Sequence, residues 1–468
     1  MHDAARRLAI AAARHCFGQV PRDVRSAYRD FVLDTVAVMV AGAAHPSVAR
    51  ARATLVAAGG AGNASTAGFP DGSPAAVAGL ANGMAMTVLQ LQDGHRRARG
   101  HPMSHVLPAA LAIAEETQAP ASSFLDAVMA GYEVSARIGA SLGGMQPLLH
   151  DTGTFGCIGA AVAAAHLLGR ALDEPERAEL IESAIGNAAA VALFPFRDTC
   201  MEGASGHHLF VGLGVQNGIN VARASLAGLT PSERTLERFF GPRAGEAFDP
   251  AGLTEGIGED GGWSRYEISS AYLKWHPVCA HLGPMLDCIE ILRERLGAFD
   301  PSRIQEVRVQ VYGTALQYDS PNPASDLAAR FSFRHAAALA LSFGALPHDG
   351  LSLNRLHHPL VADLAAKVVL EADPEFDALY PANRPARVTL VLSDREQETA
   401  EVLVPKGDGV RALTREDVDA KASRLMGSVW SSEHAAAIRT LIDSIEDMPM
   451  PTLPGDLGRA LRHPFENR

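Results

Sequence analysis

The chain has 468 residues, 47% of them hydrophobic and 20% charged, with a formal net charge of -12. That composition is enough for a large core and excludes the polar, highly charged make-up of disordered chains. Net acidity argues against nucleic acid or a membrane as partner, so any anionic ligand must meet a local positive patch. In chain order, apolar residues at helical spacing predict helices over 3–16 and 22–41, and the pattern continues through "HPSVARARATLVAA". A Gly/Ser/Pro-rich connection follows, then predicted helices at 74–90, 105–117 and 121–142. In "HDTGTFGCIGAAVAAAHLLG", Thr152 or Thr154 is suited to cap a helix whose Gly/Ala face permits close packing. Two more helices are expected at 175–193 and 208–228, and Pro231 suits the first turn of another short one. No strand is expected before about residue 265.

The texture then changes. "IQEVRVQVYG", "PARVTLVLSD" and "TAEVLVPKG" alternate as strands do, the last two as an antiparallel hairpin. Helices are expected between them at 281–296, 327–344 and 359–368, and amphipathic helices return after Thr414. The expected fold is mainly α with an inserted α+β domain: residues 1–268 and 412–468 form a helical domain, and residues 269–411 a smaller α+β lid. A cleft between such domains is a common ligand site.

Five cysteines are scattered and never spaced CxxC, as for free thiols in a reducing compartment. The N-terminus lacks the apolar core of a signal peptide, and no apolar run approaches a membrane span. The expectation is a cytoplasmic protein.

The acidic background makes "QDGHRRARGHPMSH" conspicuous, with Asp93, His95, Arg96, Arg97, Arg99, His101 and His105 in one short stretch. Arginine forks bind carboxylates, and His and Asp move protons near neutral pH. A solvated basic turn and a metal site of Asp93, His95 and His101 are the alternatives. His150 precedes a helix start whose free amides favour an anion, with an ordinary N-cap as the plainer reading. His207 and His208 precede a glycine-spaced helix that reads first as tight packing. In "YLKWHPVCAHLGPMLDC", Lys274, His276 and His281 bracket Cys279, but no orienting motif supports a thiol mechanism.

Taken in order, "LQDGHRRARGHPMSHVLPAALAIAEE", "GYEVSARIGASLG", "HDTGTFGCIGAAVAAAHLLG", "FVGLGVQNGINVARASLAGLTP", "YLKWHPVCAHLGPMLD" and "NPASDLAARFSFRHAAALAL" resemble the MmgE/PrpD family. That family includes 2-methylcitrate dehydratase, cis-aconitate decarboxylase and iminodisuccinate epimerase. The resemblance implies a helical domain with an α+β lid, a homodimer and no cofactor. It also implies a dehydratase-type lyase acting on a small anionic polycarboxylate, with decarboxylase or epimerase as alternatives. A metal-dependent hydrolase and a non-catalytic binding protein are the readings from other classes.

Asp93 and His101 fall on the family's "D…HP" positions, His150 on the histidine before the Thr-Gly-Thr start, and His281 near the lid histidine. These four are the catalytic candidates. Tyr318 and Arg330 lie in the lid segment nearest the cleft. With His95, Arg96, Arg97, Thr152, Thr154, His207 and Lys274 they make up the substrate-binding candidates. The chain departs from the family where members often carry lysine: this segment reads "HHLFVG" and places His207 there. Arg96, Arg97 and Arg99 are then expected to meet the substrate's charge, so that Arg96→Ala or Arg97→Ala should raise KM.

Overall fold

The computed structural model describes residues 4–344, 346, 351, 353–447 and 451–466. Asp3 and Met448, at the edges of two expected helices, lie outside them. The N-terminal half is a stack of helices: α1 (Ala4–Arg14), α2 (Arg22–Ala43), α3 (Pro46–Gly59), α4 (Ala75–Ala85), α5 (Met103–Glu116), α6 (Ala121–Ser141), α7 (Phe155–Leu168), α8 (Glu174–Ala190), the single turn α9 (Asp198–Met201) and α10 (Leu209–Leu226). Helix α7 is the hub. It is buried from Phe155 to Leu167, and its small residues let α5, α6, α8 and α10 approach closely. Helix α4 stops at Ala85, well short of the expected 90, because the chain turns into the site through Gln90 at φ 51°.

Two segments expected as helix or coil are different. Gly94–His95 (β1) pairs antiparallel with Ala271–Tyr272 (β2), a two-residue ladder invisible to any periodicity argument. Val368–Ala372 (β4), where a helix was expected to end, is an edge strand with one buried residue, so it shows no alternation. The second sheet runs β4–β3–β5–β6, with β3 at Ile304–Val311, β5 at Ala386–Leu392 and β6 at Gln397–Val402. Strands β3 and β4 are parallel and the other neighbours antiparallel. The helix expected over 327–344 breaks at Arg330: Ser332 caps a new helix, Phe333–Phe343, by accepting from the His335 amide.

The buried apolar residues form two clusters. One joins residues 4–273 with 418–461, and the other joins Cys200 with residues 278–402. Among the described residues no single helix is long and apolar enough to cross a membrane.

Candidate active site

The basic stretch is a loop clamped at every turn. Gly94 has no alternative, because a Cβ there would lie 2.1 Å from the Tyr272 ring across the β1–β2 ladder. Next to it, the Asp93 carboxylate accepts from the amides of Met103 (3.0 Å) and Ser104 (3.1 Å) and from the Ser104 hydroxyl (2.8 Å). It thereby satisfies free donors in the first turn of α5. Burial pushes its pKa up to about 6. His95 donates through Nε2 to the Glu267 carbonyl (2.9 Å) and accepts the Ala98 amide at Nδ1 (3.1 Å).

The expected clamps point elsewhere. Arg96 is paired with Asp408 (2.9 Å), and Arg97 with Glu267 (3.0 Å) and Glu255. Asp93, His95, Arg96 and Arg97 do not line the main cavity. Asp93, His95 and His101 also fail to bring ligand atoms together as a metal site among the described residues.

What the loop presents to the cavity is Arg99, Gly100 and His101. His101 donates Nδ1–H to the backbone carbonyl of Asp93, which leaves Nε2 bare. Burial lowers its pKa to about 4, so the ring is neutral. His105 bridges to the second histidine loop, with Nδ1 on the His101 carbonyl (3.1 Å) and Nε2 accepting the Gly153 amide (2.9 Å).

That second loop carries His150 and Asp151 into the same cavity, of 430 Å³. Thr154 occupies the N-cap position of α7, but its side chain makes no capping hydrogen bond. The Thr154 hydroxyl donates to the His150 carbonyl (2.9 Å), and the Thr152 hydroxyl sits 2.9 Å from His150 Nδ1, so both hold His150 from behind. Burial disfavours a charged His150. The Asp151 carboxylate, 3.2 Å from Nδ1, and the neighbouring Cys200 overcome it and push the pKa up to about 10. The cavity therefore holds two histidines in opposite states, one a ready base and one a ready acid.

The facing wall comes from the second cluster. His281 stacks on Tyr318 (4.2 Å between centroids) and bonds the Tyr312 hydroxyl through Nδ1. Burial keeps His281 well below its ordinary pKa and raises Tyr318 to about 12. Lys274, donating to the Gln90 carbonyl (3.1 Å), is lowered by burial to about 8. Cys279 also lines the cavity, but burial pushes its thiol up to about 11, and His276 turns away to Asp287 (2.8 Å). A thiolate nucleophile has no support in this arrangement.

The charge balance was less legible. Arg99, Arg197, Lys274 and Arg384 line the cavity against Asp151 and Glu246. Among the described residues no carboxylate is ion-paired with Arg99 or Arg197; they lie over the rings of Tyr380 and Tyr318. Arg99 stood in the conspicuous motif, whereas "FPFRDTC" and "YPANRPA" carry no pattern that marks Arg197 or Arg384. Arg330 is a strut, donating to both Asp326 oxygens and to the carbonyls of Leu89 and Pro277. His207 is fully buried behind His150, with ring centroids 5.0 Å apart, and does not line the cavity.

Comparison with known proteins identifies one family over most of the chain. The MmgE/PrpD N-terminal domain matches residues 6–244, and the MmgE/PrpD C-terminal domain matches residues 276–447. Human cis-aconitate decarboxylase is 24% identical over 393 residues, 80% of this chain and 77% of the relative. The cis-aconitate decarboxylase-like protein oryM of Aspergillus oryzae is 23% identical over 455 residues, 91% of each chain.

Proposed function

Since the chain belongs to the MmgE/PrpD family, we propose that it is a dehydratase-type lyase that removes a proton next to a carboxylate of a small di- or tricarboxylate. The observation that supports this best is a neutral His101 and a cationic His150 sharing one cavity with two arginines, Arg99 and Arg197, that have no ion-pair partner among the described residues. In this reading His101 Nε2 takes the proton, while its Nδ1–H stays on the Asp93 carbonyl and fixes the tautomer. Arg99, Arg197 and Lys274 hold carboxylates and offset the negative charge that builds on the deprotonated carbon and its carboxylate. His150 delivers a proton to the departing hydroxyl, and Asp151 stabilises it in its charged form beforehand.

A second reading, decarboxylation, is favoured by the names of the relatives. CO2 then leaves in place of a proton, the same cations bear the carbanion's charge, and His150 protonates it.

Incubation with citrate-like, succinate-like and aconitate-like acids in deuterated water, followed by NMR, separates the two. Dehydration yields a new olefin with loss of the hydroxyl. Decarboxylation yields a product one carbon shorter that carries a solvent deuteron. If no acid reacts or exchanges, the lyase reading fails.

A further inference from the structure

We propose that His150, Cys200 and His207 form a site for a thiophilic divalent cation such as Zn²⁺, set in the cavity wall. Their ligand atoms already lie within 4.8 Å of one another. Ideal tetrahedral coordination places such atoms roughly 3.4–3.7 Å apart, from metal–nitrogen and metal–sulfur lengths of about 2.0–2.3 Å. Turning the side chains inward by about 1 Å closes that gap.

A second observation points the same way. His207 is completely buried, and neither of its ring nitrogens has a hydrogen-bond partner among the described residues. A buried imidazole without a partner carries a desolvation cost that a metal–nitrogen bond removes. Cys200 is buried beside it, its thiol donating to the Arg197 carbonyl at 2.9 Å. Two imidazoles and one thiolate make a donor set that suits zinc and disfavours magnesium or calcium.

The surroundings complete the arrangement. Asp151 lies 3.2 Å from His150 Nδ1, which also accepts the Thr152 amide at 3.2 Å, so the ring orientation is already fixed by its neighbours. His150 lines the cavity, whereas Cys200 and His207 are buried behind it, so a metal would reach the three ligands from the His150 side. On binding, the metal–sulfur bond replaces the S–H bond, and the thiol proton passes to buffer. Metal also displaces the acidic proton from His150, so an occupied site takes that residue out of proton transfer.

The test needs no substrate. The full-length protein, stripped with a chelator, is titrated with Co²⁺ and monitored by absorption, then with Zn²⁺ against a chromophoric chelator. The expected result is one equivalent bound, with a thiolate-to-cobalt charge-transfer band that Zn²⁺ abolishes. Cys200→Ser should remove the band, and His207→Phe and His207→Lys should each weaken binding on the order of 100-fold or more. Circular dichroism establishes that each variant is folded; if Cys200→Ser is not, the wild-type band and the His207 variants decide. Absence of the band in the wild type, or unchanged affinity in both folded His207 variants, would overturn the site.

Discussion

At the scale of single residues, the opposite states of His101 and His150 should set the pH range of the proposed reaction. His101 acts as a base only when neutral, and burial keeps it neutral down to about pH 4. His150 acts as an acid only when charged, and it stays charged up to about pH 10. A plot of kcat against pH should therefore be flat between limbs near these values, rather than bend at the ordinary histidine pKa. Lys274 adds a separate signature: it loses its charge as pH rises through about 8, so KM for an anionic substrate should climb there before kcat falls.

The arginines divide in the same way. Arg99→Ala or Arg197→Ala removes a charged contact to a carboxylate, which at about 1.5–3 kcal/mol raises KM about 10- to 100-fold. Arg96→Ala and Arg97→Ala instead break ion pairs with Asp408, Glu255 and Glu267 and should leave KM close to wild type. Steady-state kinetics on the four variants distinguishes the two pairs. The opposite grouping would return the clamp role to Arg96 and Arg97.

At the scale of elements, α5 and the loop before it are one device. Asp93 satisfies the first turn of α5 through its side chain and aligns His101 through its carbonyl. Asp93→Ala leaves two amides and a hydroxyl unpaired, and should lower the free energy of chemical unfolding by about 2–3 kcal/mol. Asp93→Asn keeps one acceptor oxygen and should fall between. The sequence pattern could not distinguish this structural Asp93 from a catalytic one, because an acid in a basic loop suits both. It did single out the loop itself, as well as His150, Lys274 and His281, since all lie in dense clusters of titratable residues. It missed the β1–β2 ladder because two residues carry no period, and β4 because an edge strand with one buried side chain does not alternate. Arg197 and Arg384 had no local mark, since their position is fixed only by tertiary packing.

At the scale of the whole molecule, the two ends of the chain meet in one core, and Lys421 is the tie. Its ammonium is fully buried 2.7 Å from Asp34 on α2, and it donates to the carbonyls of Leu91 and of the cavity-lining Lys274. Lys421→Met strands the Asp34 carboxylate and should cost about 3–5 kcal/mol, whereas the double variant Asp34→Leu/Lys421→Met should recover most of that. Denaturation of the single and double variants measures the difference; equal losses in both would show that the pair itself is not the source. The change from helical to strand texture in the sequence falls near the division between the two apolar clusters. The buried tie did not show, because Lys421 reads as an ordinary solvated residue of an amphipathic helix.

The same tie bears on how the protein is made. The helix carrying Lys421, Arg415–Met426, packs on α2, yet nearly four hundred residues separate the two on the growing chain. Until that late segment leaves the ribosome, Asp34 has no counter-charge and the backbone beside Lys274 is unsupported. The N-terminal helices must wait through synthesis of the whole second unit with part of their core open. A nascent chain stalled before Lys421 is thus the form most in need of a chaperone, and proteolysis of ribosome-bound chains of increasing length should show protection of α2 rising sharply once that helix is out.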